Sequence, residues 1–144
     1  MAHVISPTNA QQARGFIAAL RRTRWVRAVA LSPLVARPGY WFATAAGVVW
    51  GGLLSRFRLR REGGVIVAPH CPTWSFGRGG TTIGAVYLTR DNISPAILEH
   101  EAVHRAQWKK YGLALIPLYI DAGRDARTNR FEVEAGLTKG GYTR

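Results

Sequence analysis

Hydrophobic and polar positions in the first part of the chain repeat with the period of a helix. Between about residues 8 and 31, apolar side chains recur every three or four positions and arginines occupy the other side. The apolar positions that set this period are Ala13, Phe16, Ile17 and Leu20. The pattern predicts a basic amphipathic helix, which either lies on a membrane surface or exposes its arginines to water.

Residues 40–54 form the most apolar run of the chain, with Arg37 before it and further arginines after it. The run is shorter than the ~20 residues that a helix needs to cross a bilayer. We interpret it as a buried or interfacial element that is helical despite its glycines. A segment that dips into a membrane stays open as an alternative.

The middle of the chain has the patterning of β-strands. Residues 56–60 alternate between charged and apolar side chains, and a Glu-Gly-Gly turn separates them from the apolar run 65–68. Residues 56–68 are therefore predicted to form a hairpin. The β-branched and aromatic segment 81–89 predicts another strand. We expect residues 83–89 to form an edge strand that could bind an extended peptide.

The last third of the chain is predicted to hold two helices. Ser94-Pro95 is a typical helix start, and Gly112 is a typical stop after two lysines. The apolar stretch 113–120 is either a packed connector or a second buried helix. Residues 129–135 predict a short helix that ends near a glycine.

Length and composition indicate a single α+β domain. The chain has 144 residues, of which 47% are hydrophobic, enough for one core. We expect a basic helical N-terminal region, a small antiparallel β-sheet, and then two helices that carry the candidate chemistry. We divide the chain into a basic region, residues 1–54, and a second region, residues 55–144. The two regions are expected to form one compact domain.

The net charge of +12 lies mostly in the first half. Residues 1–62 hold ten arginines and one acidic residue, which suggests an anionic partner such as lipid, nucleic acid or an acidic protein. No nucleic-acid-binding motif accompanies this charge, so we favour an anionic membrane surface. The single cysteine, Cys71, excludes an internal disulfide, and no secretory signal stands out. We expect a cytoplasmic protein, with membrane association open.

The predicted helix after Ser94 contains the motif His-Glu-x-x-His. Residues four apart lie on one face of a helix, so His100 and His104 could bind one metal ion between them. Glu101 would then lie beside the ion, where it could accept a proton from a bound water. Catalytic zinc usually has three protein ligands, so a third must come from elsewhere in the chain.

A second motif follows the first and completes a family resemblance. His100-Glu101-x-x-His104, followed by Phe131-Glu132-x-x-Ala135, resembles the gluzincin zinc metallopeptidases, in particular those with a Glu-x-x-Ala second motif. The chain is also similar to a group of short actinobacterial proteins of unknown function that carry a Gly-Gly-Tyr, here residues 140–142. The resemblance covers roughly residues 80–142.

The resemblance implies one zinc ion, a peptide or protein substrate, and a role for each matched residue. His100, His104 and Glu132 would be the zinc ligands, Glu101 the general base, and Glu134 a spare ligand or a residue behind the ligands. The chain departs from many relatives at Gly136, where an Asp would orient a ligand histidine. That role would pass to another acceptor, either a backbone carbonyl or one of the carboxylates of Glu134, Asp121 and Asp125.

Several alternatives stay open from the sequence. Glu132 lies three residues after Asn129, the spacing of a capping box, so it could cap its own helix instead of binding metal. The group that would stabilise an oxyanion is not defined, and the candidates are His70, Tyr87, Tyr119 and Tyr142. The alternative is that the peptidase site has decayed. The protein would then be a non-catalytic metal-binding protein, or a basic protein that binds a membrane or nucleic acid.

Overall fold

The structure, a computed structural model, describes residues 7–142, without the side chains of residues 7–10 and 13. It is an α+β fold, as predicted. The helices are α1 (Pro7–Arg22), α2 (Arg24–Ala30), α3 (Pro33–Leu54), α4 (Pro95–Tyr111), α5 (Leu115–Asp121) and α6 (Arg130–Ala135). The strands are β1 (Arg60–Glu62), β2 (Val65–Ala68), β3 (Gly80–Ile83) and β4 (Val86–Thr89).

The four strands form one mixed sheet in the order β1-β2-β4-β3. β1 pairs with β2 and β3 with β4 in antiparallel fashion, but β2 and β4 are parallel. The prediction of an antiparallel sheet is therefore wrong for the central pair. β2 and β4 are joined by residues 69–85, which include β3, and this crossover lets the two strands run in the same direction.

The predicted strand 81–89 is in fact a hairpin of two strands. The chain turns at Gly84, whose φ of +61° favours glycine, and a Cβ there would lie 2.4 Å from the backbone nitrogen of Thr44. β4 is central and fully buried, so the prediction of an edge strand at 83–89 is wrong. The edge on this side of the sheet is β3.

The predicted hairpin at 56–68 is present, but its first strand begins later than expected. Arg56 and Phe57 have positive φ angles, and pairing starts at Arg60 opposite Val67. Residues 56–59 therefore turn the chain out of α3 instead of forming a strand. Period-two alternation alone did not reveal this turn.

Both faces of the sheet are covered by helices. Val65, Val67 and Tyr87 pack with Ile97 and Leu98 of α4. The opposite face carries Ala68, Val86 and Leu88, which pack against Val48 and Leu54 of α3. Burial on both faces explains why β2 and β4 are continuous apolar runs in the sequence.

The N-terminal region is helical, as expected, but differently divided. The predicted helix 8–31 breaks at Thr23, and α1 buries Ile17 and Leu20 in a cluster that includes Leu115 and Leu118 of α5. α3 is longer than the apolar run 40–54 and continues through Pro38, a residue type that usually interrupts a helix. In the described part of the chain, no helix combines the length and apolar character needed to cross a membrane.

The helix that carries the His-Glu-x-x-His motif has the predicted ends. The Ser94 side chain accepts a hydrogen bond from the Ile97 nitrogen, Pro95 is the first helical residue, and Gly112 with φ +56° ends the helix. α6 begins where Asn129 accepts a hydrogen bond from the Phe131 nitrogen at 3.0 Å. α5 contains Pro117, so the stretch is helical as in one of the two alternatives, but only Leu115 and Leu118 of this helix are buried.

Candidate metal centre

Two helices bring His100, His104 and Glu132 together. α4 supplies the histidines one turn apart, and α6 packs against α4 and supplies the glutamate. The two Nε2 atoms are 3.0 Å apart, and the Glu132 carboxylate oxygens lie 3.2 Å from Nε2 of His100 and 3.5 Å from Nε2 of His104. His100 and Glu132 are buried, and His104 is partly buried. The three side chains therefore converge on one point.

The spacing of these atoms matches the ligands of a metal ion. Zinc binds imidazole nitrogen and carboxylate oxygen at about 2.0–2.2 Å, so neighbouring ligands of a tetrahedral ion lie ~3.3 Å apart. The separations of 3.0, 3.2 and 3.5 Å between the candidate ligand atoms bracket this value. The buried group of His100, His104 and Glu132 could hold a metal ion.

The second nitrogen of His100 is oriented by the backbone. Its Nδ1 lies 3.0 Å from the carbonyl oxygen of Gly136. A carbonyl can only accept, so Nδ1 carries the proton and donates to it. The lone pair of His100 is consequently on Nε2, which faces Glu132. A backbone carbonyl was among the orienting groups that the sequence left open.

Gln107 orients the second histidine. The Gln107 amide nitrogen donates to the carbonyl oxygen of Phe131 at 3.0 Å and to the carboxylate of Glu134 at 2.9 Å. Both partners are acceptors, so the Gln107 oxygen must be the atom that faces His104 Nδ1, at 2.8 Å. Nδ1 of His104 is therefore a donor, and its Nε2 has a free lone pair.

A cation would satisfy the atoms that meet at this point. When both histidines are neutral, the two Nε2 atoms and the Glu132 carboxylate offer only acceptors to one another. The Oε2 atom of Glu132 is buried without a hydrogen-bond partner among the described residues. A buried acceptor without a partner is costly, and a metal ion bound to all three residues would remove that cost.

The pKa values of Glu132 and His104 are shifted from their ordinary values. Burial by itself would raise the pKa of Glu132, but protons on the adjacent His100 and His104 rings would stabilise its carboxylate, and this effect outweighs burial and holds the pKa well below its usual range. Burial would lower the pKa of His104, yet the hydrogen bond to Glu132 and the negative charge of Glu101 raise it instead. The folded protein therefore holds a proton on His104 more firmly than it would on an ordinary histidine.

Glu101 is held beside this group by the edge strand. It is 8% exposed, and its carboxylate accepts a hydrogen bond from the Thr82 hydroxyl of β3 at 2.7 Å. Burial raises the pKa of Glu101, and the nearby histidines reduce that effect. A carboxylate with a raised pKa is a better proton acceptor at neutral pH than an ordinary glutamate.

A cavity of about 470 Å³ opens at the site. One side is lined by the candidate ligands and Glu101, and another is apolar, with Trp108, Leu115, Ile116 and Ile120. Tyr119 and Tyr142 also line it, and the Tyr119 hydroxyl donates to the Oε1 atom of Glu132. Burial and the Glu132 charge raise the pKa of Tyr142 to about 12, so its hydroxyl keeps its proton near neutral pH.

The structure also shows the surroundings of residues for which the sequence left other roles open. Glu132 does not form a capping box, because the Asn129 nitrogen donates to the Asp125 carbonyl while the Glu132 carboxylate faces the histidines. Glu134 is not part of the metal-ligand group and holds Gln107 instead. Asp121 lies near Arg21, at 3.9 Å.

Two of the candidate oxyanion donors lie away from the cavity. Tyr87 is fully buried and donates to the Asn92 carbonyl, and His70 is exposed in the loop after β2. Cys71, next to His70, is buried and contacts the Ala68 carbonyl. Thr82 and Gln107 are site residues that were not predicted from the sequence. Gln107 could have been found, because it lies three residues after His104 on the same helix.

Comparison with known proteins identifies no relative of this chain. No protein-family model matches the chain, and no match was found among curated proteins or solved structures.

Proposed function

We propose that this protein is a zinc-dependent metallopeptidase with His100, His104 and Glu132 as zinc ligands and Glu101 as general base. The observation that carries the proposal is the placement of Glu101. Its carboxylate lines the same cavity as the three candidate ligands and is held there by Thr82. A site that only binds metal for stability has no need of a buried carboxylate beside the ligands.

The ligand set favours zinc in a catalytic site. Two imidazole nitrogens and one carboxylate oxygen are a common set for catalytic zinc, whereas structural zinc sites are usually closed by four ligands, most of them cysteine or histidine. In the part of the chain that the structure describes, three side chains form the group, and a cavity adjoins it. Zinc bound here would supply a Lewis acid and lower the pKa of a bound water to about 7.

The chain's own residues would carry out the remaining steps. Glu101 would accept the proton of the attacking water and pass it to the leaving amine. We expect the Tyr142 hydroxyl to donate a hydrogen bond to the substrate carbonyl. This hydroxyl is protonated at neutral pH, and the centroid of its ring lies 5.9 Å from the centroid of the His100 ring. β3 is an edge strand that lines the cavity, and an extended peptide could pair with it.

Glu101→Gln tests the proposal against a non-catalytic metal site. The purified chain is incubated with zinc and a mixture of fluorescently labelled peptides, and cleavage is followed by mass spectrometry. We expect Glu101→Gln to abolish cleavage and to retain zinc, because the amide keeps the shape but cannot accept the proton. Glu99→Gln, an exposed neighbour on the same helix, serves as the matched control and should cleave normally. Cleavage that persists in Glu101→Gln would refute the mechanism.

A further inference from the structure

The side of α3 that points away from the sheet is almost entirely apolar. Twelve residues of α3 are exposed, and Arg37 is the only one with a polar side chain. The largest of them are Leu34, Val35, Trp41, Phe42, Val49, Trp50 and Leu53, which are 43% to 87% exposed. We call the surface formed by Leu34, Val35, Trp41, Phe42, Val49 and Leu53 the outer face of α3. Exposed apolar surfaces of this continuity usually mark an interaction site.

The side of α3 that packs against the protein carries many small residues beside the larger Tyr40, Val48 and Leu54. Gly39, Ala43, Gly47 and Gly51 recur every four residues and are buried. A Cβ at Gly47 would lie 2.8 Å from the Ile83 carbonyl oxygen, so the helix lies very close to the sheet. This arrangement reverses that of an ordinary surface helix, which buries its large apolar residues and exposes polar ones.

Arginines border the outer face at both ends. Arg37 lies near the start of α3, and Arg56 and Arg58 follow its end; all three are exposed and form no ion pair among residues 7–142. The first acidic residue of the chain is Glu62, which pairs with Arg60. The apolar surface is therefore bordered at both ends by positive charge that forms no ion pair among the described residues.

We propose that the outer face of α3 binds the surface of a membrane that contains anionic lipids. Its aliphatic and aromatic side chains would enter the boundary between headgroups and acyl chains, and tryptophan is well suited to that depth. The arginines would contact lipid phosphates. A second copy of the chain is a poorer partner, because a dimer through this face would bring like charges together without an acidic residue to neutralise them.

This inference does not depend on the proposed peptidase activity, and vesicle flotation tests it directly. The full chain is mixed with vesicles of phosphatidylcholine alone or of an equal mixture of phosphatidylcholine and phosphatidylglycerol. We expect flotation with the mixed vesicles, little with the neutral ones, and weaker binding at high salt. Absence of flotation with the mixed vesicles would overturn the proposal.

Matched variants show whether this face is responsible. The double variant Trp41→Ser/Phe42→Ser should weaken binding at least about tenfold, since two large exposed apolar side chains are lost. Val133→Ser, a half-exposed residue on α6, should bind normally. Arg37→Gln should weaken binding about fivefold and Arg127→Gln should not. Circular dichroism and thermal unfolding confirm that each variant is folded.

Two results would contradict the assignment of the face. Equal binding by the parent chain and by Trp41→Ser/Phe42→Ser would mean that another surface binds lipid. A stable dimer of the parent chain in sedimentation, converted to monomer by the same double variant, would mean that a second copy covers the outer face. A monomeric parent chain that binds mixed vesicles through these residues supports the proposal.

Discussion

The Nδ1 atom of His100 donates a hydrogen bond to the carbonyl oxygen of Gly136, 3.0 Å away. Gly136 occupies the position at which many proteins with similar motifs are expected to place an orienting aspartate. Here the backbone serves instead, and Gly136 has a φ of +95° that glycine adopts readily. The glycine therefore does not by itself indicate a decayed site, because it directs its own carbonyl at the ligand.

Gly136→Ala should weaken zinc binding by moving this carbonyl. A side chain is strained at the backbone conformation of Gly136, at a cost of about 1–3 kcal/mol, and relief of that strain would displace the acceptor of His100. Loss of such a partner typically lowers metal affinity about 10–100-fold. Chelator competition measures the affinity. Gly15→Ala, in an open part of α1, is the control and should leave zinc affinity unchanged.

Gln107→Met should also weaken zinc binding about 10–100-fold. Methionine keeps the volume of the side chain but removes the oxygen that fixes His104 and the amide that Glu134 holds. Titration calorimetry measures the zinc affinity. Gln12→Met, at an exposed position on α1, is the control. Unchanged affinity in Gln107→Met would show that His104 does not need this partner.

Thr82→Val should lower kcat about tenfold and leave zinc bound. The variant keeps the shape of the residue and removes the hydroxyl that donates to Glu101. The carboxylate would then be less well positioned to accept the proton of the water. Thr82→Ser retains the hydroxyl and should restore most of the rate. A rate that stays low in Thr82→Ser would point to packing of β3 instead.

The metal-free protein should gain more stability from zinc at pH 8 than at pH 6. The pKa of His104 is raised in the folded state, so its contribution to stability is complete below the ordinary value of 6.5 and is lost as the pH rises through the raised value. The pKa of Glu132 is lowered, so its contribution is present above 4.5 and is lost only as the pH falls further. At pH 6 zinc must displace the His104 proton, and this cost falls as the pH rises towards and through the raised pKa.

Thermal unfolding with and without zinc measures this dependence. The rise in Tm on zinc addition should grow between pH 6 and pH 8 at constant free zinc. Glu132→Gln, which removes the charged partner of His104, should show a smaller zinc effect at both values. An effect of zinc that decreases between pH 6 and pH 8 would contradict the coupled site.

The elements whose signals are local were predictable from the sequence. Ser94, Pro95 and Gly112 define α4 through its caps, and Asn129 defines the start of α6. Spacing on one helix also placed His100 and His104 together. These features depend on neighbours a few residues apart, which a single sequence displays directly.

The features that the sequence missed depend on distant contacts. The parallel pairing of β2 with β4 and the turn at Gly84 are set by packing against α3, where Thr44 contacts Gly84. Thr82 reaches Glu101 because β3 packs against α4, a contact between residues far apart in the sequence. The Gly136 carbonyl is a backbone group. Because every residue type has one, the sequence gives no signal for its role. Pro38 lies within α3, where the flanking residues Ala36, Gly39 and Tyr40 are buried against the rest of the protein.

The central claim is that one zinc ion binds to His100, His104 and Glu132. Elemental mass spectrometry of the purified chain, after dialysis against dilute zinc, tests it most directly. We expect close to one zinc per chain, lost in Glu132→Gln and retained in Glu99→Gln, which alters an exposed glutamate on α4. Absence of zinc from the parent chain, or equal zinc in the parent and in Glu132→Gln, would contradict the site.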